Sequence, residues 1–200
     1  MKLHLIVLAL VVAETAIAAP NAQEACDGCH GADGNAPVPT FPKLAGLDPD
    51  YVYAQLQKFV SHTRSDETMT PAMEGSTLTP EDVRVLSRAY VAFPRTPIEG
   101  IDPKLAAAGK VVYERDNPLR FHLSCENCHG EDGEGIGATS KIHAVPGLAK
   151  QNVDYLVSAL KRYKAMGNAA NPVRIRAMTA VASALSDEEI EAVANYAAGL

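Results

Sequence analysis

The residues of this sequence that could carry chemistry are four cysteines, which occur in two copies of one short motif. Cys26–His30 and Cys125–His129 both read Cys-x-x-Cys-His, and a glycine follows each histidine. This pattern is the attachment signature of a c-type haem. Two intervening residues let the sulfurs reach the two vinyl groups of one porphyrin, and the adjacent histidine can then bind the iron. The sequence therefore predicts two covalently bound c-type haems, with thioethers at Cys26, Cys29, Cys125 and Cys128 and iron ligands at His30 and His129.

Three other uses of paired cysteines explain this pattern less well. Two disulfides would be ordinary in an exported protein, but they require no histidine. A redox-active Cys-x-x-Cys also needs no histidine after it and is expected near a βαβ pattern. A zinc site would need four ligands that converge from both pairs. None of these explains a repeated pentapeptide whose histidines lie 99 positions apart.

The residue that fills the sixth iron position separates an electron carrier from an enzyme. In the second half we prefer Met178, seven residues before Leu185 on a predicted loop, to Met166 at the expected end of the preceding helix. In the first half we prefer Met69, because it comes shortly before a proline, and we keep Met73 as the alternative. Methionine is a soft, neutral ligand that raises the reduction potential. Three other histidines are predicted to be surface or packing residues: His62, His122 and His143.

The haem motifs belong to a longer internal duplication. Pro42–Ala45 and Pro146–Ala149 lead into Tyr51–Phe59 and Tyr155–Tyr163 at a constant offset of 104 positions. Apolar residues in the two longer segments recur at helical spacing. In the first copy, Asp48 before a proline predicts a helix start with an N-cap.

Each half also ends in a predicted helix with a capping pattern. Leu185–Ile190 reads as a capping box with a hydrophobic staple, and Leu78–Val83 has the same register. We expect these helices to run to Tyr90 and Tyr196. A further helix should start at Asp102 and place Leu105, Ala108, Val112 and Tyr113 on one face.

These patterns predict an all-α fold with two tandem domains, each a small helical unit around one haem. The predicted organisation is a signal peptide over 1–19, an N-terminal domain over 20–93, a linker over 94–103 and a C-terminal domain over 104–200. The linker is rich in proline and should be extended and stiff. Domains of this size have small cores, so an enclosed haem should supply much of the apolar packing surface.

The first residues predict export. Lys2 precedes the apolar run Leu3–Ala13, and the small residues Ala16–Ala18 suit signal peptidase. The run is too short to span a bilayer easily, so we expect a periplasmic protein that meets membranes only through partners or an uncleaved N-terminus. Asp and Glu total 24 against 18 Lys and Arg. Without a basic stripe, nucleic acid is excluded as a partner.

Together these features resemble the dihaem cytochrome c4 family. The shared features are Cys-x-x-Cys-His-Gly followed by Asp-Gly, the Phe-Pro-Lys-Leu-Ala-Gly segment, a helix led by tyrosine, a ligand methionine and the Leu-Ser-Asp-Glu helix. The resemblance implies two class I cytochrome c domains with approximate twofold symmetry. It also implies two axial pairs, His30 with Met69 and His129 with Met178.

The resemblance implies an electron carrier rather than an enzyme. Its partners would be a terminal oxidase, a bc1-type complex or a periplasmic dehydrogenase. The opening departs from the family, because only Pro20–Ala25 separate the predicted cleavage site from Cys26. Either the first domain lacks the usual opening helix or cleavage occurs elsewhere. The short segment before Cys26 also resembles the cytochrome subunit of flavocytochrome c sulfide dehydrogenase, which is one alternative. A dihaem redox enzyme, either a peroxidase or a thiosulfate-oxidising enzyme, is the other alternative.

Overall fold

The regular secondary structure of the chain is helical. The computed structural model describes residues 20–116, 123–137, 144–167 and 173–200. Within these ranges no strand forms, and Ile136 and Val145 pair only as an isolated bridge. The predicted signal peptide, His122 and His143 lie outside the described residues. The helices are α1 (Pro20–His30), α2 (Pro49–Val60), α3 (Met69–Glu74), α4 (Pro80–Leu86), α5 (Pro103–Glu114), α6 (Glu126–His129), α7 (Val153–Met166), α8 (Val173–Ser183) and α9 (Asp187–Gly199).

The predicted caps start the helices. The carboxylates of Asp48 and Asp102 accept backbone N–H bonds in the first turns of α2 and α5. Thr79 and Ser186 form complete capping boxes at the starts of α4 and α9. A side-chain cap of this kind contributes about 1 kcal/mol to stability. Local sequence therefore sets where these four helices begin.

The end of α4 differs from the prediction. We expected this helix to run to Tyr90, but it stops at Leu86. Beyond that point the chain continues in tight turns, in which the N–H groups of Arg88 and Ala89 bond to carbonyls three residues back. These turns place Tyr90 in the core, where its hydroxyl donates to Asp27 Oδ1 at 2.5 Å. The early end of α4 thus allows Tyr90 to contact Asp27 of the first haem motif.

The second half is built on close contact between α5 and α9. Gly109 of α5 lies against the backbone of α9, and a Cβ placed on Gly109 would meet the Ala192 carbonyl oxygen at 2.0 Å. This contact buries Gly109 with Val112 and Tyr113 and leaves Leu105 37% exposed. The predicted apolar face of α5 was therefore wrong for Leu105 and Ala108. The close approach at Gly109, rather than the apolar spacing, sets the buried face.

Gly109→Ala should destabilise the protein by about 3 kcal/mol, the upper end of the usual cost of overpacking. The new methyl group would meet a backbone carbonyl of α9, so the two helices would have to separate. Thermal unfolding of the haem-loaded protein, followed by circular dichroism, measures the effect. Gly199→Ala is the matched control, because its Cβ would lie an ordinary 3.5 Å from Ile101. Equal melting temperatures for the two variants would contradict this packing.

The two halves open differently. In the second half, α5 precedes the haem motif as a separate helix, and Tyr113 at its end donates its hydroxyl to the Gly130 carbonyl at 2.7 Å. In the first half, α1 is one helix that contains the Cys26–His30 motif itself. In the described part of the chain, no separate helix occupies the place of α5 in the first half.

Polar side chains of the second half bond to the backbone of the first half. The buried Gln151 accepts from Lys43 N at 2.7 Å and donates to Lys43 O at 2.9 Å. The buried Asn152 amide donates to Phe41 O at 2.8 Å. The Tyr155 N–H bonds to Pro39 O. Because buried polar groups need partners, these bonds hold the halves in a defined arrangement.

Candidate haem-binding sites

His30 lies at the end of α1 with one ring nitrogen already in a hydrogen bond. Its Nδ1 is 2.9 Å from the Pro42 carbonyl oxygen, and the residue is only 8% exposed. A carbonyl can only accept, so Nδ1 carries the proton and Nε2 has a free lone pair. Burial lowers the pKa of His30, although the Pro42 carbonyl opposes this shift. The residue is therefore a neutral imidazole with a metal-binding nitrogen available.

His129 repeats this geometry in the second half. Its Nδ1 is 2.9 Å from the Pro146 carbonyl oxygen, and burial lowers its pKa against the effect of that carbonyl. Pro42 and Pro146 are separated by the offset of 104 that relates the two copies. A backbone carbonyl that accepts from the ring nitrogen not bound to the metal commonly orients a ligand histidine and raises its basicity. Two matching sites therefore exist.

The segments Pro42–Ala45 and Pro146–Ala149, here called the proline loops, are each held by the glycine of an Asp-Gly pair. The Gly34 carbonyl accepts the N–H groups of Leu44 and Ala45, and the Gly133 carbonyl accepts those of the equivalent Leu148 and Ala149. Gly34 has φ +75°, and a Cβ there would meet Ala45 N at 2.7 Å. Only glycine fits this conformation and this approach without strain. Neither glycine was singled out as a site residue, but the repeated Asp-Gly pair was the available signal.

The cysteines of each motif are unpaired thiols near the histidine. Cys26 and Cys29 lie one turn apart in α1, so both sulfurs are on one face of the helix. Burial raises the pKa of Cys26 and raises that of Cys125 to about 12. Reactive cysteines have lowered pKa values. For Cys26 and Cys125 the direction of the pKa shift is thus opposite to that of a reactive cysteine.

The residues present fit a covalently attached haem and do not fit a zinc site. Within the described ranges, no cluster of three or more His, Cys, Asp or Glu side chains could hold a metal ion. Each motif instead offers two thiols on one helical face and one neutral imidazole with a free Nε2. Those are the groups needed for two thioethers and one axial bond.

The four candidate methionines lie in helices. Met69 and Met73 are half-buried at the two ends of one turn of α3, so burial does not separate the preferred residue from its alternative. The Asp66 carboxylate accepts the N–H of Met69 at 3.0 Å and so fixes the start of α3. Met178 was predicted on a loop, which is wrong: it is half-buried in α8. Met166 ends α7 as expected and is 39% exposed.

His62 is a surface residue, as predicted. Its side chain is 63% exposed and lies 3.6 Å from the Glu74 carboxylate.

Comparison with known families and proteins agrees with this geometry. The "Cytochrome c" family model matches residues 106–200, and the "Cytochrome C oxidase, cbb3-type, subunit III" model matches residues 13–88. Cytochrome c4 of Thiocapsa roseopersicina is 38% identical over 175 residues, which are 88% of this chain and 86% of that protein. The chain belongs to the cytochrome c4 family. Its haem motifs and Nδ1–carbonyl contacts are thus two copies of one cytochrome c arrangement.

Other members and relatives of the cytochrome c4 family match as much of the chain or more. The crystal structure of reduced recombinant cytochrome c4 from Pseudomonas stutzeri superimposes with a TM-score of 0.78 at 26% identity, covering 92% of this chain and all of that one. A protein of Stutzerimonas stutzeri named thiosulfate dehydrogenase electron acceptor is 33% identical over 186 residues, 88% of this chain and 79% of that protein. This cytochrome therefore has two covalently bound c-type haems and transfers electrons.

Proposed function

We propose that this cytochrome c4 family member is a periplasmic electron carrier in which both irons are closed on both faces. The observation that carries the proposal is the pair of buried histidines, each with Nδ1 2.9 Å from a proline carbonyl. We assign His30 with Met69, and His129 with Met178, as the axial pairs. The thioether residues are Cys26, Cys29, Cys125 and Cys128.

Each side chain has a separate task in this proposal. The cysteines would hold the porphyrin in one orientation, and the adjacent histidine would then bind its iron. The carbonyls of Pro42 and Pro146 fix the imidazole tautomer and ring plane. The methionines would supply the second iron ligand and so exclude other ligands. The haem, when bound, supplies a one-electron couple whose potential these ligands set.

The charge distribution supports docking through the N-terminal half. Residues 20–93 contain ten Asp and Glu against five Lys and Arg, whereas residues 104–200 contain eleven of each. Most of the net charge of −6 therefore lies in the first half. An acidic surface steers association with a basic partner, and salt weakens that attraction.

We infer that one partner is a periplasmic dehydrogenase that oxidises thiosulfate. A relative that matches most of this chain is named as the electron acceptor of such an enzyme. A terminal oxidase or a bc1-type complex would be the partner on the other side. In the described ranges, none of the helices is long and apolar enough to cross a membrane.

The proposal is tested with the purified mature protein. Pyridine haemochrome analysis should give two haems per chain, and the oxidised spectrum should show two methionine-to-iron charge-transfer bands. The reduced protein should not bind carbon monoxide at neutral pH. Free thiols in the mature protein, or rapid carbon monoxide binding at either haem, would contradict the proposal.

Met69→Ala should open the first haem, and Met73→Ala should leave it closed. The reason is the placement of Met69 at the first residue of α3, where Asp66 fixes the backbone. Loss of the thioether would remove one of the two charge-transfer bands and allow one carbon monoxide to bind per chain. The two variants remove the same side chain from the same helix. If Met73→Ala loses the band and Met69→Ala keeps it, the ligand is Met73.

A further inference from the structure

One residue of the linker bonds to both haem-bearing halves. Arg95 donates through Nε to Ala45 O at 3.1 Å in the first half. Its Nη1 donates to Ala149 O at 2.6 Å and to Gly147 O at 3.2 Å in the second half. Ala45 and Ala149 are equivalent residues of the duplication. The planar guanidinium thus joins the two proline loops, which suits its fixed fork of donors.

Those two loops are the ones that orient the histidines. Pro42, three residues before Ala45, accepts from His30. Pro146, directly before Gly147, accepts from His129. In each loop, Arg95 therefore bonds to a residue that is at most three positions after the proline whose carbonyl orients the imidazole.

A second positive group lies beside Arg95. Lys43 is 4% exposed, and its Nζ donates to Thr96 O at 2.6 Å and Thr96 Oγ1 at 3.0 Å. Burial and the nearby Arg95 both lower the pKa of Lys43, and burial lowers that of Arg95. Two acidic groups oppose this lowering: Asp33 raises the pKa of Lys43, and Glu134 raises the pKa of Arg95. Glu134 and Asp33 are exposed, so solvent screens both more than the buried Lys43 and the half-buried Arg95.

We propose that Arg95 sets the reduction potential of both haems, because its half-buried charge is fixed between the two proline loops that orient the histidines. This inference depends on the proposed function, since it requires His30 and His129 to be iron ligands. Reduction of each iron adds one electron and lowers the positive charge of that site by one. A nearby cation held partly away from solvent therefore destabilises the oxidised state more than the reduced state and raises both potentials together.

The test is a spectroelectrochemical titration of the haem-loaded Arg95→Gln variant, with electrons supplied by the electrode. At a fixed electrode potential, the ratio of reduced to oxidised haem should fall about tenfold at both haems, which equals about 59 mV for a one-electron couple. Both waves should move together, so their separation stays the same. Arg88→Gln is the matched control, because it removes the same charge from an exposed position and should leave both ratios unchanged. If both haems are bound in Arg95→Gln and either ratio stays the same, the proposal is overturned.

Arg95→Lys separates charge from structure. Lysine keeps the positive charge but cannot donate to three carbonyls in a fixed fork. Both ratios should return to within about threefold of the wild-type values, a residual shift of less than 30 mV by the same conversion. If Arg95→Lys lowers the ratios as much as Arg95→Gln does, the residue has only a structural role and the proposal is overturned.

Lys43→Gln decides the question if Arg95→Gln does not fold. The hydrogen bonds of Lys43 to Gln151 use its backbone only, so this substitution leaves them in place. Lys43 follows Pro42 directly, so the potential of the first haem should fall more than that of the second, and the separation of the waves should change. Unchanged waves would overturn the proposal. Wild-type protein that lacks two haems or two methionine bands would instead refute the proposed function, which keeps the two failures distinct.

Discussion

Replacing both cysteines of the first motif should unfold the first half of the chain, whereas the same replacement in the second motif should leave much of the second half helical. The reason is an unequal distribution of apolar packing. The described hydrophobic core cluster lies entirely in the second half, in α5, α7 and α9 and the turn before α9. Its buried members are Val112, Tyr113, Leu156, Leu185, Ile190, Val193, Ala194, Ala197 and Ala198.

Without a haem, the first half has less apolar packing to stabilise it. Its short helices α3 and α4 have six and seven residues, and its buried apolar side chains are fewer: Ala36, Ala45, Leu47, Val52, Phe59, Val83, Leu86 and Tyr90. Isolated helices of this length are not stable in water. We therefore expect the porphyrin to supply much of the apolar surface around which these helices pack.

The experiment compares Cys26→Ala/Cys29→Ala with Cys125→Ala/Cys128→Ala, each of which should retain one haem. Native-state hydrogen exchange should show lost protection in α2 and α4 for the first variant and partial protection in α5 and α9 for the second. Each variant is the control for the other, because both lose two thiols and one cofactor. Equal loss of protection in both halves, or a protected first half without its haem, would contradict this account.

The sequence was informative wherever a few neighbouring residues determine the structure. The caps at Asp48, Thr79, Asp102 and Ser186 could be read directly, because a cap depends on residues within one turn. The two haem motifs could be read for the same reason. Their spacing encodes the chemistry without reference to the rest of the fold.

The prediction failed where distant segments meet. Gly109 sets the buried face of α5 through the backbone of α9, and apolar periodicity does not register such a contact. Arg95 was expected to be part of a stiff spacer, yet it bonds to both proline loops. Gln151 and Asn152 join the halves through carbonyls more than 100 residues away. Which loops face each other depends on tertiary packing, which single-sequence patterns do not contain.

The prediction around Met178 was wrong for a different reason. The segment was predicted as a loop before α9, but it forms α8 and has weak amphipathic character. Thr179, the next residue, is fully buried, and its hydroxyl donates to the Arg176 carbonyl at 3.0 Å. This is consistent with the proposal that Met178 binds the iron, because a helix that packs against a cofactor needs no regular apolar stripe.

Met178→Ala should convert the second haem from a closed to an open site. The neutral thioether favours ferrous iron, so its loss should lower the ratio of reduced to oxidised second haem by more than tenfold, a fall in potential of more than about 59 mV. One charge-transfer band should disappear, and the reduced protein should bind one carbon monoxide per chain at neutral pH. These changes are read from spectra of the purified holoprotein.

Met166→Ala is the matched control for Met178→Ala. Met166 ends α7 and is 39% exposed, whereas Met178 is half-buried beside the fully buried Thr179. The control should keep both bands and both potentials, because an exposed thioether cannot exclude water from the iron. A Met178→Ala protein that keeps both bands would remove Met178 as the ligand. A carrier role would then require another closed iron, because an open position allows small molecules to bind and turns the site toward enzyme chemistry.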